Sequence, residues 1–375
     1  MHSPAPMSLI PHPFLSFTDR MTYSERLQNV FFSTLENLMS HFFHFPLQVR
    51  FLSKLLNQSN NEIYLFKEDI YNRHFKADKP SLLHMIKHGV SMVLLNNHFT
   101  LNYPQALLPN MIEIGGFHVK IETNPLPEDI QNFIDESKHG VVYFSLGGNL
   151  KPSKMAAEKK EAIIEALSKI KERVIWKWDD DSIVVDKNKF LVRKWLPQDD
   201  ILAHPKVKLF VTHGGLLSCT ESIYRGIPIV GIPIFGDQLM NMARASTLGW
   251  GVYVNYQNLT EPSLSWALNE VLSQQKYHQN VITVSKRLQD QLQTPMEKAI
   301  SSVEYVIRHQ GAYFMQSSGQ HLNLIEYHNL DVFATFAAVL FLVIMIAIII
   351  IKTISNLSYK TKKAKSTSDK KKKLK

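Results

Sequence analysis

The sequence has 375 residues, of which 45% are hydrophobic and 20% charged, enough for two domains or for one large domain with an appendage. The formal net charge of +9 is confined to residues 352–375, which hold ten lysines and one acid, whereas the rest carries 32 basic and 32 acidic residues. Because a nucleic-acid-binding protein carries its basic surface on the folded part, this distribution argues against a nucleic-acid partner. The single cysteine, Cys219, excludes an intramolecular disulfide.

The first 110 residues are predicted to be irregular and mostly helical. Apolar residues recur at helical spacing over 23–38, and two shorter helices are expected over 63–88. The apolar run at Val93–Leu95 predicts a short strand. Pro109 and the Gly115-Gly116 pair then indicate a linker, so a second type of structure is expected to begin after it.

From about residue 140 the pattern changes to strands that alternate with helices. Such alternation predicts a parallel sheet covered by helices on both faces, that is, an α/β domain. The predicted strands are 141–145, 174–178, 190–194, 208–212, 228–232 and 251–254. The predicted helices are 154–171, 216–225 and 237–248, with further helices filling most of 261–309.

Residues 332–351 contain no charged side chain over 20 positions and predict a transmembrane helix, because a helix of that length spans about 30 Å. A buried core helix is the alternative, but it rarely lacks a polar face. The Lys-rich side is expected to be cytosolic, which places the body in the lumen. The ending Lys372-Lys373-Leu374-Lys375 resembles a dilysine signal for retrieval to the endoplasmic reticulum membrane. A stop-transfer run of charge is the other interpretation.

Unusual residues fall at the carboxyl ends of the predicted strands, where parallel sheets bind ligands. His213-Gly214-Gly215 separates a strand from a helix. The glycines allow close approach of the backbone, and the helix start offers unpaired N–H groups, a combination suited to a diphosphate. A strand-turn-helix packing role is the alternative for this motif.

Other polar and aromatic residues flank this motif, each with a plainer alternative. Trp195 is a candidate to stack on a flat base, with Gln198 at a base or ribose edge; the alternative is a core tryptophan beside a loop glutamine. Glu221 is a candidate acceptor for two ribose hydroxyls, or a solvated helix acid. Asp237 and Gln238 are candidates to bind sugar hydroxyls, although Asp237 could simply be an N-cap.

The order and spacing of these residues over 195–238, within the passage LPQDDILAHPKVKLFVTHGGLLSCTESIYRGIPIVGIPIFGDQLMNMARA, resemble the donor-binding signature of the family 1 UDP-glycosyltransferases, which include the UDP-glucuronosyltransferases. The Leu216-Leu217-Ser218 variant is most similar to the arthropod branch. The resemblance implies a GT-B fold, with two Rossmann-like domains and an inverting transfer from a UDP-sugar, glucuronic acid or glucose, to a hydroxyl of small lipophilic acceptors, as in detoxification. It implies no cofactor and no metal.

The resemblance also implies roles for individual residues. Trp195 would stack on uracil with Gln198 beside the base and ribose, Glu221 would hold the ribose, and Asp237 with Gln238 would bind the sugar. The remaining implied donor-binding residues, which would hold the diphosphate and stabilise its charge, are Ser145, Gly147, His213, Gly214, Gly215 and Ser218.

The chain departs from the family pattern chiefly at its N-terminus. Relatives normally begin with a signal peptide and a full acceptor-binding domain that carries a catalytic His and its Asp partner. Residues 1–10 show no signal peptide, and neither His2 nor His12 sits in a matching strand-turn context. We therefore expect an N-terminally truncated chain and carry over no catalytic base. Gly148 and Leu217 stand where relatives often have Ser and Asn.

The expected organisation has five parts. Residues 1–115 are a remnant of the acceptor-side domain and linker, 116–310 the UDP-sugar-binding domain, 311–331 a juxtamembrane segment, 332–351 the transmembrane helix, and 352–375 the cytosolic tail. The membrane, a UDP-sugar, a lipophilic acceptor and a homo- or hetero-oligomer with relatives are candidate partners. Because the base is absent, a non-catalytic UDP-sugar-binding membrane protein is the alternative function. A nucleotide-dependent oxidoreductase is disfavoured, since no Gly-x-Gly-x-x-Gly follows a strand.

Overall fold

The computed structural model describes residues 10–18, 20–39, 89–148, 152–179, 183–317, 319, 322, 324–327 and 329–372. The chain divides into two compact units, Ser3–Met315 and a unit that includes Gln316–Lys375. The two helices predicted over 63–88 lie outside the described residues.

The larger unit is built around a six-stranded parallel sheet. Its strands match the six predicted ones to within two residues at each end, and each is short and mostly buried, as expected for a sheet covered on both faces. They are β3 (Val141–Ser145), β4 (Arg173–Lys177), β5 (Phe190–Arg193), β6 (Val207–Thr212), β7 (Ile229–Gly231) and β8 (Gly251–Tyr253).

The order of these strands across the sheet is β5-β4-β3-β6-β7-β8. Taken in chain order this is 3-2-1-4-5-6, the arrangement of a Rossmann-like dinucleotide-binding sheet. The strand order reverses between β3 and β6, where Ser145 pairs with Thr212. The crevice outside the carboxyl ends of these two strands is therefore the expected binding position in this fold.

Helices cover both faces of the sheet. Phe144 and Trp176 are fully buried on one face, and Tyr143 and Phe210 on the other. The helices are α2 (Glu128–Asp135), α3 (Ala157–Lys169), α4 (Gln198–Leu202), α5 (Leu216–Arg225), α6 (Gln238–Thr247), α7 (Glu261–Ser273), α8 (Gln275–Gln289) and α9 (Pro295–Arg308). Both α2 and α4 were absent from the sequence prediction, because runs of eight and five residues are too short for a clear helical period.

Hydrogen bonds and partly buried ion pairs fix the segment that precedes α2 to α4 and α5. Arg225 donates from Nε to Asp199 Oδ1 at 2.8 Å and from Nη2 to Asp199 Oδ2 at 3.0 Å, and it also donates to the carbonyl oxygen of Lys120 at 2.6 Å. Lys120 Nζ in turn donates to the buried Asp200 at 3.0 Å. The bidentate Arg225–Asp199 pair fixes α5 to α4, and the two bonds made by Lys120 then give this part of the linker a defined position on the sheet domain.

Among the described residues before 114, the structure shows one helix and a separate two-stranded sheet. Helix α1 (Tyr23–Met39) confirms the helix predicted over 23–38. Strand β1 (Val93–Leu95) pairs in parallel with β2 (Met111–Glu113), a strand inside the predicted linker. The run at β2 is only three residues long, which made it indistinguishable from a loop by periodicity.

The second unit contains α10 (Leu324–Tyr327) and the long helix α11 (Leu330–Lys372). One stretch of α11, Leu330–Asn356, is long and apolar enough to cross a membrane by length and composition, and it contains the predicted span 332–351. The helix continues to Lys372 through most of the predicted tail.

Candidate functional site

The sequence-predicted site residues lie around the carboxyl ends of β3 and β6. Ser145 ends β3 and is buried, and its Oγ accepts a hydrogen bond from the Gly147 backbone N–H at 3.3 Å. His213 follows β6 directly. The two motifs that the chain separates by more than 60 residues thus meet at the point where the strand order reverses.

The His213 ring is held between two glycines. A Cβ added at Gly147 would lie 2.7 Å from His213 Cε1, and one added at Gly215 would lie 2.5 Å from His213 Nε2. Gly147 also has φ +82°, in the left-handed region that favours glycine. These positions therefore require glycine because any larger side chain would displace the imidazole.

The imidazole of His213 has a lowered pKa and a ring nitrogen without a hydrogen-bond partner among the described residues. Burial lowers its pKa, an effect that Asp237 opposes and Lys177 reinforces. Its Nδ1 is buried and meets no hydrogen-bond partner among the described residues. A buried ring nitrogen without a partner is costly, so this position of the imidazole disfavours folding.

Helix α5 begins at the same place. Gly215 is its N-cap and supplies no side-chain acceptor, so the first N–H groups of the helix depend on solvent or ligand for partners. The helix has ten residues, enough for its aligned peptide dipoles to favour negative charge at this end. Together with His213, these groups form a site suited to an anion such as a diphosphate.

Two hydrogen bonds join three polar side chains on α4 and α5. Gln198 Nε2 donates to Glu221 Oε2 at 2.7 Å and to Ser218 Oγ at 3.1 Å. Both N–H groups of the Gln198 amide are therefore occupied by protein. Glu221, in contrast, keeps acceptor capacity on both of its oxygens, since a carboxylate offers about four lone-pair sites.

The Glu221 carboxylate is largely buried rather than solvated. Burial raises its pKa, and the hydrogen bond from Gln198 only partly offsets this effect. His118, on the segment before α2, places its Nε2 3.6 Å from Glu221 Oε1. The plain alternative of a solvated helix acid therefore does not hold.

Trp195 differs from the buried tryptophans of the sheet. Its side chain is 72% exposed, whereas Trp176, Trp178 and Trp250 are almost completely buried. It follows the edge strand β5 and precedes Gln198 by three residues. Its exposed indole is available for stacking on a flat ligand. The alternative of a core tryptophan is excluded.

Asp237 and Gln238 begin helix α6 on the other side of His213. Asp237 makes no capping bond to the backbone; instead its Oδ2 accepts from Asn241 Nδ2 at 2.8 Å. Gln238 is buried, and its Oε1 accepts from the backbone N–H groups of Ile234 and Phe235 at 2.8 and 3.1 Å. Asp237 is thus exposed to a ligand, while the Gln238 oxygen braces the preceding loop.

Asn241 links the two halves of the site. Its Nδ2 donates to the Gly214 carbonyl at 2.9 Å as well as to Asp237. Gly214 has φ +82°, and a Cβ there would lie 2.7 Å from Met242 Cγ. The His-Gly-Gly turn is therefore fixed to α6 by one buried amide.

We expect Asn241→Ala to lower the unfolding free energy by about 1–3 kcal/mol, because it leaves the buried Gly214 carbonyl without its side-chain donor. Thermal unfolding of the full chain in detergent measures the effect. Asn280→Ala is the matched control, since Asn280 donates to the Gly249 carbonyl at 2.9 Å from a less buried position. An unfolding midpoint that falls less for Asn241→Ala than for Asn280→Ala would contradict the bridging role.

Sequence reasoning missed three residues near the site, namely Tyr143, Asn241 and His118. Asn241 lies one helical turn after Asp237, and Tyr143 carries a hydroxyl two residues before Ser145 on the same face of β3, so both had a local signal. His118 had none, because only the tertiary fold brings it to Glu221. Across the described ranges, no group of three His, Cys, Asp or Glu side chains is arranged to hold a metal ion.

Comparisons with known proteins agree with this geometry. The family model described as UDP-glucoronosyl and UDP-glucosyl transferase matches residues 1–368. The chain is 35% identical to "UDP-glycosyltransferase UGT5" of Dactylopius coccus, over 92% of this chain and 62% of that protein. It is also 35% identical to "UDP-glucuronosyltransferase 1A9" of Homo sapiens, over 92% of this chain and 60% of that protein. The chain thus spans about three fifths of the length of these relatives.

Solved structures support the fold. The glycotransferase of kitacinnamycin superposes with a TM-score of 0.51 at 16% identity, over 73% of this chain and 66% of that one. A UDP-glucose:anthocyanidin 3-O-glucosyltransferase, crystallised with UDP, superposes with a TM-score of 0.50 at 22% identity, over 62% of this chain and 58% of that one. Both are GT-B glycosyltransferases, so the predicted fold is confirmed.

Proposed function

The chain belongs to the family of UDP-glucuronosyl and UDP-glucosyl transferases, and we propose that it binds a UDP-sugar and serves its transfer to a hydroxyl of a small lipophilic acceptor with inversion. The observation that carries the proposal is the strand-order reversal at which His213, held between Gly147 and Gly215, meets the N-terminus of α5. The sugar is glucuronic acid or glucose.

The diphosphate would bind at this reversal. The backbone N–H groups that begin α5, the His213 imidazole and the Ser145 and Ser218 hydroxyls would surround its oxygens. Charge develops on these oxygens when the acceptor hydroxyl attacks the anomeric carbon and UDP leaves. Donors that are already oriented stabilise that charge without reorganisation, which is how this site would favour the transfer.

The uridine would extend from the diphosphate toward β5. Trp195 would stack on the uracil, and Glu221 would accept hydrogen bonds from both ribose hydroxyls through lone pairs that its protein contacts leave free. Asp237 would bind sugar hydroxyls on the opposite side, next to the exposed loop at Gly236. Gln238 would assist there through its amide nitrogen, because its oxygen is occupied by Ile234 and Phe235.

His12 is a poor candidate for the base that must remove the acceptor proton. Its Nε2 lies 2.8 Å from Glu36 Oε2, and its Nδ1 accepts from the Phe14 backbone N–H at 3.2 Å. Both ring nitrogens are thus occupied in fixing residues 10–14 to α1. A transfer assay decides between an enzyme and a non-catalytic UDP-sugar-binding protein, since only the former gives glycosylated acceptor.

We also propose that α11 anchors the protein as a single-pass helix in the endoplasmic reticulum membrane. Its apolar stretch has the required length, and the lysines that follow would lie in the cytosol. The body would then be luminal. An oligomer with itself or with relatives is a candidate assembly in that membrane.

The test is a calorimetric titration of UDP into the full chain in detergent. We expect binding that weakens about 10-fold in both Trp195→Ala and His213→Ala, since stacking on an aromatic side chain contributes about 1–3 kcal/mol. Trp266→Ala is the control, because Trp266 on α7 is similarly exposed at 58% and lies outside the site. No binding to folded protein, or equal loss in Trp266→Ala, would refute the donor site.

A further inference from the structure

A tyrosine hydroxyl lies beneath the candidate ribose site, inside a strand whose other polar side chain is Ser145. Tyr143 sits in the middle of β3 (VVYFS) and is fully buried. Its ring packs against Phe210 with centroids 5.1 Å apart, a contact that phenylalanine would make equally well. Burial of a hydroxyl is costly unless it is hydrogen-bonded, so the oxygen must be accounted for separately from the ring.

The Tyr143 hydroxyl is connected to the site through Gln198. It donates to Gln198 Oε1 at 3.3 Å, and the other end of the same amide donates to Glu221 at 2.7 Å. Burial raises the pKa of Tyr143, so the hydroxyl keeps its proton at neutral pH and can act as a donor. The order of donors is therefore Tyr143 to Gln198 to Glu221.

This order has two consequences for the carboxylate. A donor on the amide oxygen polarises the amide and strengthens the hydrogen bond that its nitrogen makes, because bonds in a chain reinforce one another. It also opposes the flipped amide, which would face the Gln198 oxygen toward a carboxylate oxygen. The Glu221 carboxylate is thereby held in one orientation before any ligand binds.

We propose that Tyr143 is a positioning residue for ribose recognition, whose hydroxyl orients the Gln198 amide and through it holds Glu221 in place to accept the two ribose hydroxyls. This inference rests on the proposed function, since it assigns the ribose of the UDP moiety to Glu221. Gln198 then acts as a brace beneath the ribose. The prediction that Gln198 contacts the base directly would require it to give up one of its present bonds.

The test compares two nucleotides in one matched pair of variants. Tyr143→Phe removes only the hydroxyl, and Tyr277→Phe is the control, because buried Tyr277 donates to Glu270 at 2.9 Å away from the site. UDP and 2′,3′-dideoxy-UDP are titrated into the wild-type chain and both variants in detergent. We expect Tyr143→Phe to weaken UDP about 5-fold and to leave dideoxy-UDP unchanged, as loss of one net hydrogen bond predicts. Tyr277→Phe should change neither affinity.

The outcomes separate this inference from the function on which it rests. A wild-type chain that prefers UDP over dideoxy-UDP, with the same preference in Tyr143→Phe, overturns the role of Tyr143 alone. Equal weakening of both nucleotides in Tyr143→Phe overturns it as well and assigns the tyrosine a purely structural role. A wild-type chain that binds no UDP, or binds both nucleotides equally, overturns the ribose assignment and the inference together.

Discussion

Replacement of Gly147 by alanine is expected to weaken UDP binding by about 10-fold, as removal of the imidazole in His213→Ala does, whereas alanine at the adjacent Gly148 is expected to leave binding unchanged. The new Cβ at residue 147 would lie 2.7 Å from His213 Cε1, closer than such atoms approach, and the residue would keep an unfavourable φ of +82°. The imidazole must then move away from the diphosphate position. Displacement of the ring should then cost about as much affinity as its removal does, because a hydrogen bond to a charged group contributes about 1.5–3 kcal/mol.

Gly148 is a matched control because a Cβ there meets no atom within 4 Å. Calorimetric titration of UDP into each variant measures the affinity, and thermal unfolding shows whether the variant is folded. We expect Gly147→Ala to remain folded, since the half-buried His213 ring that it displaces lies outside the hydrophobic core of the sheet. Tight UDP binding by folded Gly147→Ala, or equal losses in the two variants, would show that His213 is not held by this glycine.

The strands could be predicted from the sequence for a simple physical reason. A strand buried on both faces needs an uninterrupted apolar run, and runs such as VVYFS stand out from the polar helices around them. Strand β2 and helices α2 and α4 were missed because these segments are too short to show a clear periodicity of apolar residues. The order of strands across the sheet has no local signal, and only the structure shows that Ser145 and His213 meet.

For the candidate site, too, the sequence predicted some features and not others. Residue identities at Trp195, His213, Glu221 and Asp237 followed from a spaced motif, since each type has chemistry suited to one part of a UDP-sugar. The direction of each side chain did not follow. The hydrogen bonds that occupy Gln198 and the Gln238 oxygen arise from neighbours on other elements, which no sequence spacing shows.

The site also contains polar groups that disfavour folding. Glu221 is largely buried with a raised pKa, and His213 is half-buried with a lowered pKa and a buried ring nitrogen, Nδ1, that has no partner among the described residues. Both side chains have lost part of their contact with water, and hydrogen bonds from a ligand would replace part of what they have lost. Such strain is typical of binding sites, where stability is given up for preorganisation, and it can be measured by removal of the buried charge.

Glu221→Gln is therefore expected to raise the stability of the protein while it weakens UDP binding by about 100-fold, because hydrogen bonds to a charged group contribute about 1.5–3 kcal/mol each. The folded state raises the pKa of Glu221 above its ordinary value of 4.5, so it binds the proton more tightly than the unfolded state does. The unfolding free energy of the wild-type chain must then fall as the pH rises from the unfolded-state pKa to the folded-state pKa of Glu221. Above the folded-state pKa the whole destabilisation by the ionised carboxylate is present. Glutamine removes this cost but offers the ribose only one neutral acceptor.

Thermal unfolding at a series of pH values, together with UDP titration, measures both effects. The gain in unfolding midpoint for Glu221→Gln should be absent below pH 4.5 and should grow as the pH rises above it, while wild-type UDP affinity should fall as acid protonates the carboxylate. Glu270→Gln is the opposite control, because hydrogen bonds from Lys276 and Tyr277 lower the pKa of Glu270 and its ionised form contributes stability that the substitution removes. If Glu221→Gln lowered the midpoint at neutral pH as Glu270→Gln should, Glu221 would be a structural anchor. A gain in stability with unchanged UDP affinity would instead place the ribose away from Glu221.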